Sequence, residues 1–415
     1  MMRIGVIATR LNGTDGVSLE VEKWCRVLAN KGHRISFCAG ELGGYASEGT
    51  HIPLLHFKHP IIASLNERAT AKSANEDLLQ LREEISTVAE AIKAPLRDFI
   101  EQSALDMILV ENALTIPMNL PLGLALSALI EELGIPTIAH HHDFYWERKR
   151  FRGNPTVESL KAFFPPALPS IRHVTINTLA QRDLKERRGL DSTVVPNVHD
   201  FAHPPKPQDD FSADVRQTLG LSEEDLFILQ PTRVIPRKGI ELTLSLVSGL
   251  DIPQPRIFIT HSAGDEGLSY WQWLQEQAEN LGVEMRLIDE IVAAERGSRN
   301  GAKIYALWDI YPHADLVAFP SLYEGFGNAL LEAIYFKRLT IVNRYPVYVA
   351  DIAPLGFKFI ELDGQVSKRH ITETQELLND KQAVKDIVEH NYAIAADHFS
   401  FHNLDQRLQS VLESF

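Results

Sequence analysis

Cysteine is almost missing from this chain: Cys25 and Cys38 are the only two among 415 residues. Two thiols make no disulfide framework and, by themselves, no metal cage, so a reducing cytoplasm is the expected home. Long hydrophobic runs are missing as well. The longest apolar stretch, near Leu120 to Ile130, is helix-length and falls short of the ~18 apolar residues of a membrane span. The opening MMRIGVIATR carries one early arginine and a short apolar run, so it reads as a first strand and not as a leader peptide. Positive charge is in deficit: 41 basic residues against 55 acidic ones leave a net charge of −14. That balance argues against nonspecific nucleic-acid binding and against a chain spread over anionic lipid. Nor is there a G-x-G-x-x-G fingerprint between the first strand and first helix, where the sequence reads Asn12-Gly13-Thr14-Asp15-Gly16-Val17; a dinucleotide site of that type is excluded.

What the chain does have is length and alternation. At ~100–200 residues per domain it should form two or three domains, and 45% hydrophobic residues suffice for full cores. Strand-like runs at 3–8, 34–38, 107–110, 137–140, 173–176 and 193–195 are separated by amphipathic segments, the first of them Val17–Lys31 with Val17, Val21, Trp24, Val27 and Leu28 on one face. Residues 67–100 are charged and helical. The pattern predicts a parallel sheet covered on both faces. Phe201 to Phe211 then reads FAHPPKPQDDF, polar and proline-rich, as a linker does. Alternation restarts with strands expected at 226–230, 256–260, 285–288 and 315–319 and helices at 240–248, 270–281 and 302–311, and the tail 403–412 is helical in pattern.

The densest information lies in Phe319 to Arg344, FPSLYEGFGNALLEAIYFKRLTIVNR. A buried strand leads into a glycine turn, and Ala329, Leu330, Ala333 and Ile334 have helical spacing after it. Such a turn offers backbone N–H groups and the positive end of a helix to an anion. Glu324 falls in the turn, and Glu332, with seven residues between the two, is expected about two helical turns along. A second constellation, Pro231 to Ile240 (PTRVIPRKGI), follows a predicted strand and enters a helix. Arg233 and Lys238 there suit a diphosphate, in the crevice where open α/β sheets bind ligands. Both segments also admit a plainer reading, a solvated helix and a solvated basic loop.

These two segments resemble the signature of the family-4 retaining glycosyltransferases. Here Thr232 stands where that family commonly has glycine. The resemblance runs from Met1 to about Phe399. It implies an α/β protein of the GT-B fold, two doubly wound Rossmann-like domains facing a central cleft. The expected boundaries are an acceptor domain over 1–200, a linker over 201–224, a nucleotide-sugar domain over 225–395, and a C-terminal helix over 396–415 crossing back to the first domain. Val195 to Asp200 (VPNVHD) resembles the family's I-P-N-G-V-D, with Val198 in place of glycine. The stretch Asn343 to Phe357, NRYPVYVADIAPLGF, looks like bacterial transferases that make compatible-solute glycosides such as mannosylglucosylglycerate.

The resemblance also assigns roles. Glu332 would hold ribose, Arg233 and Lys238 the diphosphate, and Glu324 with Gly325, Phe326, Gly327 and Asn328 the donor sugar, while Gly16 matches the glycine of the first loop. The family carries a histidine near the end of the strand before His140-His141-His142; local pattern gives His142, with His141 or His140 if the register differs. Three adjacent histidines invite a zinc reading, which strand alternation disfavours because neighbours face opposite ways. The basic run Trp146 to Arg152 (WERKRFR) is either a solvated loop or a site for an anionic acceptor or lipid headgroup. Residues His141, Asp143, Arg148 and Arg150 are the acceptor candidates. Preorganised cations can stabilise the charge growing on a departing diphosphate, and no clustered Asp-x-Asp occurs. No obligatory metal is therefore expected, with Mg2+ at most stimulatory. The expected reaction is transfer of a hexose from a nucleoside-diphosphate sugar, GDP-mannose or UDP-glucose, to a hydroxyl of a small sugar or glycerate-type acceptor, neutral or anionic. A lipid or polysaccharide acceptor, or a non-hydrolysing UDP-sugar 2-epimerase, are the alternatives; partners are small molecules, with no nucleic acid and no membrane span.

Overall fold

A computed structural model describes residues 1–13, 16–45, 47–71, 77–151, 154–264 and 267–415. Thr14, Asp15 and Arg152 of the motifs above lie outside the described residues. The chain divides into two compact units, Met1–Pro196 with His402–Phe415, and Asn197–Phe401. Residues 201–224, read as a linker, lie within the second unit and include a short helix, Val215–Thr218.

In the first unit, strands β1 (Arg3–Ala8), β2 (Arg34–Ala39), β3 (Thr50–His51), β4 (Met107–Glu111), β5 (Thr137–His141), β6 (Ile171–Thr175) and β7 (Ser192–Val194) form one sheet. Their order is β3-β2-β1-β4-β5-β6-β7, with every pair parallel. Strand β4 is buried at all five positions, as expected of a central strand covered on both faces. Helix Gly16–Asn30 packs Val21, Trp24, Val27 and Leu28 inward, the face read from the sequence. Helices Pro60–Thr70 and Leu78–Gln102 occupy the charged segment. The C-terminal helix Phe401–Glu413 returns to this unit through His402–Phe415.

The second unit holds β8 (Phe227–Gln230), β9 (Arg256–Ile259), β10 (Glu284–Leu287), and a small three-stranded sheet of β11 (Val292–Ala293), β12 (Gly297–Arg299) and β13 (Ala302–Ala306). Strands β14 (Leu316–Phe319), β15 (Leu339–Asn343) and β16 (Ile360–Leu362) complete the main sheet, in the order β10-β9-β8-β14-β15-β16. One expectation fails here. Residues 302–311, read as a helix, form strand β13 and then a single helical turn, Leu307–Ile310. Pairing with β11 and β12 overrides the helical spacing, a tertiary effect that local pattern does not carry.

The strand order reverses between β1 and β4 in the first unit and between β8 and β14 in the second. In open parallel sheets ligands bind outside the carboxyl ends of strands at such switch points. Both basic and acidic motifs of the second unit sit there: 231–240 follows β8 and 320–328 follows β14.

Candidate active site

The loops after β8 and β14 are built as one piece. The Leu322 N–H donates to the Arg237 carbonyl at 2.8 Å. Gly239 has φ of +60°, and a Cβ there would meet the Pro320 carbonyl oxygen at 2.4 Å, so glycine is required by both conformation and space. Thr232, the departure from the family pattern, is buried; Gln230 donates to its hydroxyl at 2.9 Å and accepts from Thr243 at 2.8 Å. The substitution thus ties the basic loop to helix Ile240–Val247 and leaves the charged positions unchanged.

Glu324 is buried and lies between two cations. The Lys238 ammonium donates to Oε1, and the Arg237 guanidinium donates to Oε2 at 2.9 Å and to the Tyr323 carbonyl at 3.0 Å. Burial alone raises the carboxyl's pKa, but the charges of Lys238 and Arg237 outweigh it and hold Glu324 below the usual carboxylate range. Burial likewise pulls Lys238 below the ordinary ammonium range despite the attraction of Glu324. Lys238 also lies over the Phe319 ring, 5.6 Å from its centroid. Arg233 is exposed, and its charge is felt at Lys238. The three cations of the basic loop exceed the one carboxylate that Lys238 and Arg237 share by two charges, suited to a dianion. Arg237 was not singled out from the sequence.

Gly325, Phe326 and Gly327 form the turn. Gly327 has φ of +128° and caps helix Asn328–Tyr335. The Phe326 carbonyl accepts from the buried Tyr345 hydroxyl at 2.5 Å, and Asn343 donates to the Ser321 carbonyl at 3.2 Å while accepting from the Gly364 N–H at 2.7 Å. The NRY run that closes β15 therefore braces the acidic loop. Asn328 accepts from Asn197 at 2.6 Å. Because the helix starts at Asn328, Glu332 stands about one turn into it and not two. Its Oε2 accepts from the buried Tyr311 hydroxyl at 2.8 Å, and burial together with this carboxylate drives the phenol's pKa well above its usual value.

In the first unit the alternation expected of the histidines holds. His140 and His142 face one side; His141 faces the other. His141, an expected acceptor ligand, is only 1% exposed and pairs with Thr115 at 2.5 Å and His173 at 2.9 Å. Burial, then the neighbouring imidazoles, push its pKa well below the usual histidine range, and it is a core group. The opposite face adds a residue that the sequence reading did not single out: Glu111, at the end of β4, meets both His140 and His142, and one nitrogen or carboxylate oxygen from each of the three lies within 4.8 Å of the others. A charged residue closing an otherwise apolar strand was the available signal in the sequence.

Asp143 accepts from Arg148 at 2.7 Å and from Asn112 at 3.3 Å. Arg150 lies over the Phe151 ring at 4.5 Å, and burial lowers its pKa. Trp146 and Phe151 are buried, so the basic run is anchored by its aromatics and is no free loop. Gly16 opens helix Gly16–Asn30 and is exposed.

Residues 211–393 match the family model described as glycosyl transferases group 1. The chain is 34% identical to mannosylglucosylglycerate synthase of Petrotoga mobilis, over 99% of this chain and 97% of that one. It is 33% identical to the enzyme of the same name from Thermotoga maritima, over 99% of both. The chain belongs to the group 1 glycosyltransferases. Solved structures similar to it include Anabaena Alr3699/HepE in complex with UDP and glucose, with a TM-score of 0.68 and 16% identity over all of both chains. A glycosyltransferase from Rickettsia africae gives a TM-score of 0.69 at 14% identity, over 100% of this chain and 98% of that one. The fold is GT-B. Among the described residues no helix is long and apolar enough to cross a membrane.

Proposed function

We propose that this glycosyltransferase moves a hexose from a nucleoside-diphosphate sugar of the GDP-mannose or UDP-glucose type to a hydroxyl of a small glycerate-containing acceptor, with retention of configuration. The observation that carries the reading is the joined pair of loops after β8 and β14, where Arg237 and Lys238 hold Glu324, with the charge of Arg233 felt at Lys238, beside a glycine-capped helix end. The full-length likeness to two mannosylglucosylglycerate synthases supports the acceptor class.

In this reading Glu332 takes the ribose hydroxyls, Arg233 and Lys238 the diphosphate, and Glu324 with the turn from Gly325 to Asn328 the sugar. Gly16 and His142 are further donor candidates, and Asp143, Arg148 and Arg150 acceptor candidates. The bond from the anomeric carbon to the donor's phosphate oxygen breaks, and one from the acceptor's hydroxyl oxygen to that carbon forms on the same face. The hydroxyl proton passes to the departing phosphate, so no protein nucleophile is required. Positive charge from Arg233 and Lys238 offsets the charge that grows on the leaving oxygen, which makes a divalent ion dispensable.

The test pairs GDP-mannose and UDP-glucose, separately, with glycerate and glucosylglycerate. Release of free nucleotide with a new glycoside, abolished in Arg233→Ala and Glu332→Ala, is expected, and NMR of the product gives the anomeric outcome. An isomeric nucleotide sugar without free nucleotide would instead establish an epimerase and overturn the reading.

A further inference from the structure

The buried cluster at the ends of β4 and β5 is the strongest feature that the proposed reaction leaves unexplained. Glu111 is 1% exposed. Its carboxylate accepts from His140 Nδ1 at 3.1 and 3.0 Å and from His142 Nε2 at 3.3 Å. Asn112, the next residue, sits in the left-handed region with φ of +55°. Its side-chain oxygen accepts the His142 backbone N–H at 3.1 Å, and its amide nitrogen donates to Asp143 at 3.3 Å. His140 stacks on Trp24 with centroids 4.1 Å apart, which closes the far side of the cluster.

Two chemistries fit a carboxylate between two imidazoles: a metal ion or a hydrogen-bonded positioning network. A metal-bound imidazole ordinarily donates its second N–H to a fixed acceptor. His140 Nε2 is buried and has no hydrogen-bond partner among the described residues, which a neutral ring that donates only through Nδ1 tolerates better than a metal ligand does. We propose that Glu111 and Asn112 are positioning residues for His142, fixing its ring so that the Nδ1 edge, and not Nε2, meets the donor sugar. This rests on the assignment of His142 to the sugar made above.

The electrostatics agree. Burial pushes the Glu111 carboxyl up, yet His140 and His142 carry it down to about 2. Burial lowers His142, but Glu111, then Glu20 and Asp143, leave it raised. The titratable groups facing His142 are thus Glu111 from β4, His140 and Asp143 from its own segment, and Glu20 from helix Gly16–Asn30. Glu20 is itself bonded to Lys23 at 2.5 Å, and Asp143 to Arg148. A protonated ring held at Nε2 by Glu111 presents Nδ1–H as a donor to a sugar hydroxyl.

The test uses the full chain labelled with 15N-histidine, with the His142 resonances identified by their loss in His142→Gln. Glu111→Gln should lower the His142 titration midpoint by about one pH unit or more, the effect of removing an opposite charge at this range. The alkaline limb of kcat/KM should move to lower pH with it. Should Glu111→Gln fail to fold, Asn112→Gly, which keeps the left-handed backbone, is expected to lower kcat/KM about tenfold with little change in Tm. An unmoved midpoint, a moved midpoint with an unmoved pH–rate profile, or a full-activity Asn112→Gly overturns the proposal. So does one equivalent of tightly held metal that Glu111→Gln releases. Absence of transfer by the unsubstituted protein counts against the proposed function instead, because the titration is read without any sugar.

Discussion

Replacing Lys238 with methionine removes one partner of a buried ion pair and leaves the other in place. Glu324 has 11% of its side-chain surface exposed, as has Lys238, whereas Arg237 has 35%. Orphaning a buried charge costs about 3–5 kcal/mol. Arg237 remains bonded to Oε2 at 2.9 Å, so the lower end, about 3 kcal/mol, is expected here. At about 2–4 °C per kcal/mol for a domain of this size, the second unit should melt about 6–12 °C lower. The double variant Lys238→Met, Glu324→Gln removes the orphan charge and should recover about 2 kcal/mol of that loss. Differential scanning calorimetry gives the transitions, and amide exchange over β14 and β15 assigns the relevant one to the second unit. A single variant that loses less than about 1 kcal/mol, or a double variant less stable than the single one, would refute the claim that Glu324 and Lys238 are a coupled buried pair. The double variant, though stable, should show no glycosyl transfer.

Three further outcomes are expected. Tyr311→Phe removes the hydroxyl that donates to Glu332 at 2.8 Å, and calorimetric titration should show nucleoside-diphosphate affinity about tenfold weaker, the worth of a hydrogen bond to a charged group. Replacing Arg148, Lys149 and Arg150 together with glutamine should raise the acceptor KM about tenfold with the donor KM unchanged; an unchanged acceptor KM removes this run from the acceptor site. Glu111, depressed from 4.5 to about 2, contributes stability that is complete above pH 4.5 and lost as pH falls towards 2. The acid-unfolding curve of Glu111→Gln should be flatter than the parent's across that window.

The sequence and the structure agree best where a motif states its own context. Strand β1 at Arg3–Ala8 and the helix face of Val21, Trp24, Val27 and Leu28 were legible from periodicity alone. Residues 302–311 were not, because a short apolar run pairs or coils according to its neighbours, and here β11 and β12 decide. The histidines show the same limit at the level of the site. Alternation separated His141 from His140 and His142, but Glu111 arrives from a strand 29 residues away in sequence from His140, a distance that no local spacing encodes. Tyr311 reaches Glu332 across 21 residues in the same manner. Patterns carried by residues close in sequence could be read; partners such as Glu111 and Tyr311 are supplied by the tertiary fold.

The arrangement around Glu324 changes what its motif means. Read from sequence, the basic segment and the acidic segment are two sites that each meet the donor. In the fold they are one device. The Leu322 N–H to Arg237 carbonyl bond joins their backbones, Gly239 lets Pro320 approach to a distance no side chain permits, and Glu324 is the anion that Lys238 and Arg237 already share. On the proposed reading, a donor diphosphate entering beside these cations would compete with Glu324 for their charge. Glu324 would then govern how strongly the basic loop holds a diphosphate even before any sugar contact is considered. A glutamine there should tighten nucleoside-diphosphate binding while slowing transfer, a separation of binding from turnover that loss of a simple sugar contact does not produce.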